Sequence, residues 1–149
     1  MHSRFLVKAP VDTALGDDAL VDQNPLRELN GRRRIAIVDV VLLEMPRSDI
    51  SRLSGVYFLK PALFDAIRRE GLTGLVPRDF TMSFDPQMQQ LGAFDGRSLP
   101  ELSCVEVSGD VSTDDFSHVE GCAGLVVSSQ ALAILQRFDL TAVVITPFA

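Results

Sequence analysis

The sequence has no tryptophan, one tyrosine and two cysteines among its 149 residues. The cysteines, Cys104 and Cys122, are too few for a disulfide framework, and the chain contains no Cys-x-x-Cys zinc pattern. No apolar run approaches the roughly 20 residues that cross a bilayer. The first residues, Met-His-Ser-Arg-Phe-Leu-Val-Lys, lack the apolar core of a signal peptide. We therefore expect a cytoplasmic protein with two free thiols and no membrane partner.

Basic residues are also scarce. The isoelectric point is about 4.8, whereas a protein that binds the phosphate backbone needs a basic stripe on its surface. Arg32, Arg33 and Arg34 form the only basic run. Its position beside a predicted strand favours solvated flanking residues over a nucleic-acid site, so the sequence predicts no nucleic-acid partner.

The acidic residues, by contrast, are concentrated in one segment. Residues 79–120 have nine carboxylates and one cation, Arg97, so the net charge of this segment is −8. The whole chain is −6, which leaves +2 for the remaining residues. Because a surface of one sign repels itself, such a segment indicates a cationic partner. The nine carboxylates are those of Asp79, Asp85, Asp95, Glu101, Glu106, Asp110, Asp114, Asp115 and Glu120.

The length of the chain and its hydrophobic fraction of 46% predict one globular domain over residues 1–149. Residues 10–24 have the composition of a loop, and Asn24-Pro25 predicts the start of a short helix over Pro25 to Leu29. The strongest predicted strand is Ile35 to Met45. Its β-branched residues indicate burial on both faces for part of its length.

A strand–helix–strand pattern occurs twice in the sequence. The two units cover residues 55–76 and 124–146, with helices predicted over 61–70 and 129–138. Proline at the first helical position, glycine after the last turn and serine at an N-cap are the signals that set these helix ends. The acidic residues 79–120 then form an irregular connection between the two units.

The two units are similar in sequence, but their predicted helix faces differ. An alignment with one gap at Gly71 matches Gly55 with Gly124 and Val76 with Val144. In that alignment the apolar faces of the two helices are rotated relative to each other, which favours convergence over duplication. In either case the elements predict an α+β fold: a mixed or mostly antiparallel sheet with two main helices packed on it.

The residues most able to do chemistry lie at the end of the acidic segment. Carboxylates close to a histidine can bind a divalent cation or transfer protons. A small metal-dependent enzyme that uses Asp114, Asp115, His118 and Glu120 is therefore the alternative function. The spacing fits no calcium-binding loop, and a solvated acidic loop explains the same residues.

Two serines, Ser128 and Ser129, lie between a predicted strand and a predicted helix, where a hydrolase nucleophile would also lie. The Gly-x-Ser-x-Gly motif is absent, and N-capping explains both serines. No glycine-rich phosphate loop follows any predicted strand. The sequence therefore predicts no catalytic residues and no cofactor.

The sequence from Phe116 to Phe148 has a recognisable order of elements. It contains an apolar strand, a Ser-rich helix start in Val-Val-Ser-Ser-Gln, an amphipathic helix, a turn over Phe138 to Ala142 and a last strand that leads to Pro147. This order resembles the carboxyl-terminal part of bacterial polymorphic-toxin immunity proteins of the myxobacterial type, and residues 54–76 repeat it. A related group with doubled Cys-x-x-Cys-Gly motifs is excluded, because this chain has none.

The resemblance implies a cytoplasmic protein that binds and neutralises a cognate toxin delivered between competing bacteria, and it implies no catalytic residues. With the charge pattern, it predicts a non-catalytic inhibitor whose acidic surface docks on a basic toxin, held by apolar anchors such as Phe84, Phe94 or Phe116. A third possibility is a structural subunit that pairs through an exposed strand edge; the oligomeric state and the toxin's chemistry stay open. The predicted partner-binding residues are Asp85, Asp95, Asp110, Asp114, Asp115, Phe116, His118 and Glu120.

Overall fold

The computed structural model of the protein describes residues 3–24 and 33–148. These residues form 13 strands in mostly antiparallel sheets and three helices, which confirms the α+β class. The strands are β1 (Arg4–Lys8), β2 (Thr13–Leu15), β3 (Leu20–Val21), β4 (Ile35–Ile37), β5 (Asp39–Leu42), β6 (Ile50–Leu53), β7 (Val56–Leu59), β8 (Leu75–Arg78), β9 (Thr81–Phe84), β10 (Ser103–Val107), β11 (Phe116–Ser117), β12 (Leu125–Ser128) and β13 (Val144–Phe148). The helices are α1 (Pro61–Arg69), α2 (Pro86–Gln90) and α3 (Ser129–Leu135).

Two four-stranded sheets have the same topology. The first sheet has the order β6-β7-β10-β8, and the second has the order β11-β12-β1-β13. In each sheet a hairpin leads into a helix and then into a third strand. β10 lies between β7 and β8 in the first sheet, and β1 lies between β12 and β13 in the second. Each of these central strands is antiparallel to both of its neighbours. We call β7, α1 and β8 the first unit, and β12, α3 and β13 the second unit.

The strand register fixes how the two units correspond, because each central strand pairs with both of its neighbours. The central pairings are Val105 with Tyr57 and Pro77, and Val7 with Leu125 and Ile145. Corresponding positions are thus 68 residues apart on both sides of the helix, with no gap between them.

The buried helix residues follow the same spacing. Leu63, Ala66 and Ile67 of α1 correspond to Ala131, Ile134 and Leu135 of α3. The rotated helix faces expected from the gapped alignment are therefore wrong, because that gap displaced the helices by one residue. Both helices present the same face to the main core, which they form with the inner faces of the two sheets.

The face of the first sheet that points away from the main core is also covered. A second apolar cluster packs Val56, Phe58 and Cys104 of that face against Val38 and Val40. Burial raises the pKa of the Cys104 thiol to about 12, so this cysteine is an inert core residue.

The layer that covers the first sheet consists of short strands. β2, β5 and β9 form one sheet, in which β5 and β9 are parallel, and β3 pairs with β4. The predicted strand over residues 35–45 is divided into β4 and β5, because its two parts pair with different strands. The predicted loop over residues 10–24 contains β2 and β3, which supply those partners. The short helix predicted over Pro25 to Leu29 lies outside the described residues.

The two main helices begin where the sequence predicted and end earlier. α3 ends at Leu135 because the amides of Arg137 and Phe138 bond to the carbonyls three residues back, which tightens the last turn. The acidic residues 79–120 are less irregular than expected, since they contain β9, α2, β10 and β11. None of the helices in residues 3–24 and 33–148 is long and apolar enough to cross a membrane.

Candidate functional site

The carboxylates of the acidic segment are in three different environments. Glu106 is buried in β10, where it accepts hydrogen bonds from Arg34 Nε at 2.8 Å and from Arg78 Nη1. Its charge is therefore neutralised inside the protein. The half-buried members are Asp85, Asp114 and Asp115, and the exposed members are Asp79, Asp95, Glu101, Asp110 and Glu120.

Asp110 and Asp114 shape the loop between β10 and β11. Oδ1 of Asp110 accepts the amide of Ser112 at 2.8 Å and also its hydroxyl, and these two bonds lower the pKa of Asp110. Oδ2 of Asp114 accepts the amide of Asp110 at 2.7 Å. Both side chains therefore act as turn residues, and Asp110 is an exposed, ionised carboxylate.

Asp115 joins the two units. Its Oδ2 accepts the amide of Thr73 at 2.9 Å, and its Oδ1 accepts the hydroxyl of Ser128 at 2.6 Å. Asp49 has the corresponding place in front of β6, and its Oδ2 accepts the amide of Asp139 at 2.9 Å. Asp49 lies outside the acidic segment and makes the same kind of bond. A structural role in joining the two units therefore accounts for the carboxylate of Asp115.

Phe116 and His118 lie inside the protein. Phe116 is fully buried in the main core, where it pairs with Val127 of β12. His118 is 4% exposed, and its Nε2 is 3.2 Å from the hydroxyl of Tyr57. The exposed surface of both side chains is therefore small, although the sequence predicted both as partner-binding residues. The signal that identifies Phe116 as core is its place beside the buried strand β12, which sequence spacing alone does not reveal.

An open cleft of about 310 Å³ lies between residues 108–111 and 118–120. Asp110 and Glu120 both line this cleft, and Val111 and Val119 add apolar surface. Of the predicted partner-binding residues, the cleft brings together Asp110, Glu120 and the buried His118. We call it the Asp110–Glu120 cleft.

Asp85 and Asp95 belong to a different part of the segment. Asp85 is the N-cap of α2, and its Oδ2 accepts the amide of Met88 at 3.0 Å. Asp95 is exposed after that helix, where the ring of Phe94 stacks on the ring of Phe84 with centroids 4.4 Å apart. Neither carboxylate lines the Asp110–Glu120 cleft. The structure therefore divides the predicted site into two places.

The metal-dependent alternative gains no support from the geometry. In the part of the chain that the structure describes, no three His, Cys, Asp or Glu residues are placed to hold a metal ion. Asp114 and Asp115 use their oxygens to bond backbone amides, and His118 bonds to Tyr57.

One charged cluster was missed by the sequence analysis. Arg34 is exposed, as expected of a solvated flanking residue, but it also shares Glu106 with Arg78, and Arg78 donates to the carbonyl of Ile35 at 2.7 Å. Arg34, Glu106 and His118 line a small cavity of about 20 Å³, enough for one water molecule. The sequence gives no local signal for this cluster, because a glutamate between two valines, Val105-Glu106-Val107, is the ordinary alternation of a half-buried strand.

Comparison with protein families, with curated proteins and with solved structures gives no match for this chain.

Proposed function

We propose that this protein is a non-catalytic, cytoplasmic immunity protein, which binds and neutralises a cognate bacterial toxin by docking its acidic surface on a basic face of that toxin. One observation carries the proposal: among the described residues, Glu106 is the only member of the acidic segment that forms a salt bridge. The other eight carboxylates of this segment form no salt bridge with a cation in residues 3–24 and 33–148, although Arg4 Nη1 donates to the backbone carbonyl of Asp114. A cationic partner would supply the missing charges.

The Asp110–Glu120 cleft is the part of this surface that best fits a basic side chain. Asp110 and Glu120 both line it, so a lysine or arginine of the toxin that entered the cleft would meet two negative charges. The turn bonds from Ser112 hold Asp110 in place and keep it ionised before the partner arrives. A site organised in this way loses little conformational entropy on binding.

The apolar anchor that we propose differs from those expected from the sequence. Phe94 and Phe116 are buried, and Phe84 is half-buried against Phe94. Leu91, directly after α2, is 73% exposed. It lies near Asp85 and Asp95 in the sequence, so an apolar contact there would add to the charge contacts. Occlusion of the toxin's active site by this surface is the mechanism of neutralisation that we propose.

The test neutralises the cleft without disturbing its backbone. We expect the double variant Asp110→Asn with Glu120→Gln to associate about tenfold more slowly at low ionic strength with the toxin encoded beside its gene. Asparagine keeps the oxygen that Ser112 needs, so the turn is retained. The rate is measured by stopped-flow mixing at several salt concentrations, where the variant should also show a weaker salt dependence.

The control is matched in residue types and in charge. Asp65→Asn with Glu70→Gln removes one aspartate and one glutamate, both exposed, on and just after α1. In the mixing experiments at about 0.1 M salt, we expect its association rate to stay within about twofold of the wild type, since exposed charges more than about 10 Å apart are then largely screened. Equal rates for the cleft variant, the control and the wild type would contradict the proposed docking face.

A further inference from the structure

Asp12 is a carboxylate that the proposed docking surface does not use. It lies in the corner between β1 and β2, with 0% of its surface exposed, and neither of its carboxylate oxygens has a hydrogen-bond partner among the described residues. Its backbone, in contrast, is fixed, because its carbonyl accepts the amide of Leu43 at 2.8 Å. An ionised carboxylate in this place would lose its hydration without a compensating bond, which is strongly unfavourable.

Three charged residues surround this corner. Glu44, just after β5, is the charged residue with the largest effect on the pKa of Asp12. Nη2 of Arg47 is 3.6 Å from Oε1 of Glu44. Arg52 of β6 uses its amide and Nε for the carbonyls of Pro10 and Ala9. Burial raises the pKa of Asp12 most. The charge of Glu44 comes next, followed by a hydrogen bond that Asp12 can donate to Glu44 only when it is protonated; the pKa is about 6, although Arg47 acts in the opposite direction.

We propose that a proton held between Asp12 and Glu44 fastens the β1–β2 corner to the end of β5, and that loss of this proton as the pH rises loosens the corner. Protonated Asp12 donates a hydrogen bond to Glu44, and Arg47 stabilises the negative charge on Glu44. A bound proton fits better than a bound divalent cation, because only two carboxylates converge here and a cation would compete with Arg47 for one of them.

The direction of the pH effect follows from proton linkage. The pKa of Asp12 in the folded protein, about 6, is above its ordinary value of 3.8, so the folded state binds more protons between these two values. The stabilising contribution of Asp12 is therefore complete below the ordinary value and is lost as the pH rises through about 6. The carboxylate of Asp110, whose pKa is lowered, has the opposite effect at lower pH.

The experiment follows Asp12 directly. The ¹³Cγ chemical shift of Asp12 in the wild-type protein should titrate with a midpoint near 6. As the pH rises from 3.8 through about 6, the hydrogen-exchange protection of the Leu43 amide should fall by up to about 100-fold, because each pH unit between the two pKa values contributes up to tenfold. In Asp12→Asn, which is neutral at every pH and still donates to Glu44, the protection should not change with pH.

Further variants keep the proposal open to refutation. Glu44→Gln should move the Asp12 midpoint toward its ordinary value even if Asp12→Asn does not fold, and Asp110→Asn should leave the pH dependence of the Leu43 amide as in the wild type. An Asp12 midpoint near its ordinary value would overturn the proposal, as would wild-type pH dependence in Asp12→Asn. It would also be overturned if Ca²⁺ at neutral pH restored the protection in the wild type alone, since the pair would then hold a cation.

Discussion

The first and second units bury the same helix face and pair around their central strands in the same register, but their surroundings differ. The outer face of the first sheet is covered by a second apolar cluster, whereas the corresponding face of the second sheet exposes residues such as Lys8 and Val144. Features that depend on pairing and burial inside the unit are therefore shared. Features that depend on what lies outside the unit differ between the two, and three pairs of corresponding positions test this division.

The largest expected effect concerns the loop after each helix, at Gly74 and Ala142. Both residues have positive φ, at 105° and 64°. An added Cβ on Gly74 would lie 2.1 Å from the carbonyl oxygen of Phe116, so only glycine fits there. We expect Gly74→Ala to lower the free energy of unfolding in urea by about 4 kcal/mol, from left-handed strain and overpacking together.

The opposite replacement serves as the control for that loop. Ala142→Gly should be neutral or stabilise the protein by about 1 kcal/mol, because it relieves a left-handed alanine. If both replacements change the unfolding free energy by similar small amounts, the close approach of the first loop to Phe116 does not constrain the fold, and the two loops are more alike than their contacts indicate.

The second pair is Glu106 and Lys8, which have the corresponding place in the two central strands. Glu106 and Arg78 are 11% and 12% exposed in their side chains, whereas Lys8 is exposed. Removing one partner of a buried ion pair leaves an uncompensated charge, so we expect Glu106→Gln to cost about 3 kcal/mol of stability. Lys8→Gln should stay within about 0.5 kcal/mol of the wild type in the same urea titration.

An equal, small loss in both of these variants would mean that water reaches Arg78 and that the covered face of the first sheet is less closed than its burial indicates. A large loss only in Glu106→Gln would locate the difference between the two sheets at this ion cluster. The cavity that Arg34, Glu106 and His118 line makes the distinction sharp, because its small volume leaves little room for solvent to replace the lost charge.

The local features of these units were predictable from the sequence, and the long-range ones were not. Pro61 and Ser128 predicted the two helix starts, since a missing amide and a capping hydroxyl act on the nearest turn. The insertion of β1 between β12 and β13 joins residues more than 100 positions apart, and no local signal encodes it. The gap placed at Gly71 in the sequence alignment of the two units has the same cause. Only the strand register shows that the two units align without a gap.

The candidate site was predictable only in part, for a related reason. Charge is a property of composition, so the concentration of carboxylates in residues 79–120 could be read directly. Which of them face solvent depends on pairing: β10 buries Glu106, and the strand β12 buries its neighbour Phe116. Aspartates such as Asp115 appear to sequence analysis as free charges, yet their oxygens are used by backbone amides that only the folded chain brings near.

The third and smallest expected effect concerns the helix N-caps, Lys60 and Ser128. The hydroxyl of Ser128 accepts the amide of Ala131 at 3.1 Å and donates to Asp115, whereas Lys60 makes no side-chain cap. We expect Ser128→Ala to lower the free energy of unfolding by about 1 kcal/mol and Lys60→Ala to change it by less than about 0.5 kcal/mol. Proline at the first position of α1 removes one of the unpaired amides of the helix start and fixes a helical φ, so the first unit tolerates a lysine as its N-cap. Equal losses in the two variants would show that neither bond of the Ser128 hydroxyl, to the Ala131 amide or to Asp115, makes α3 more stable than an uncapped start.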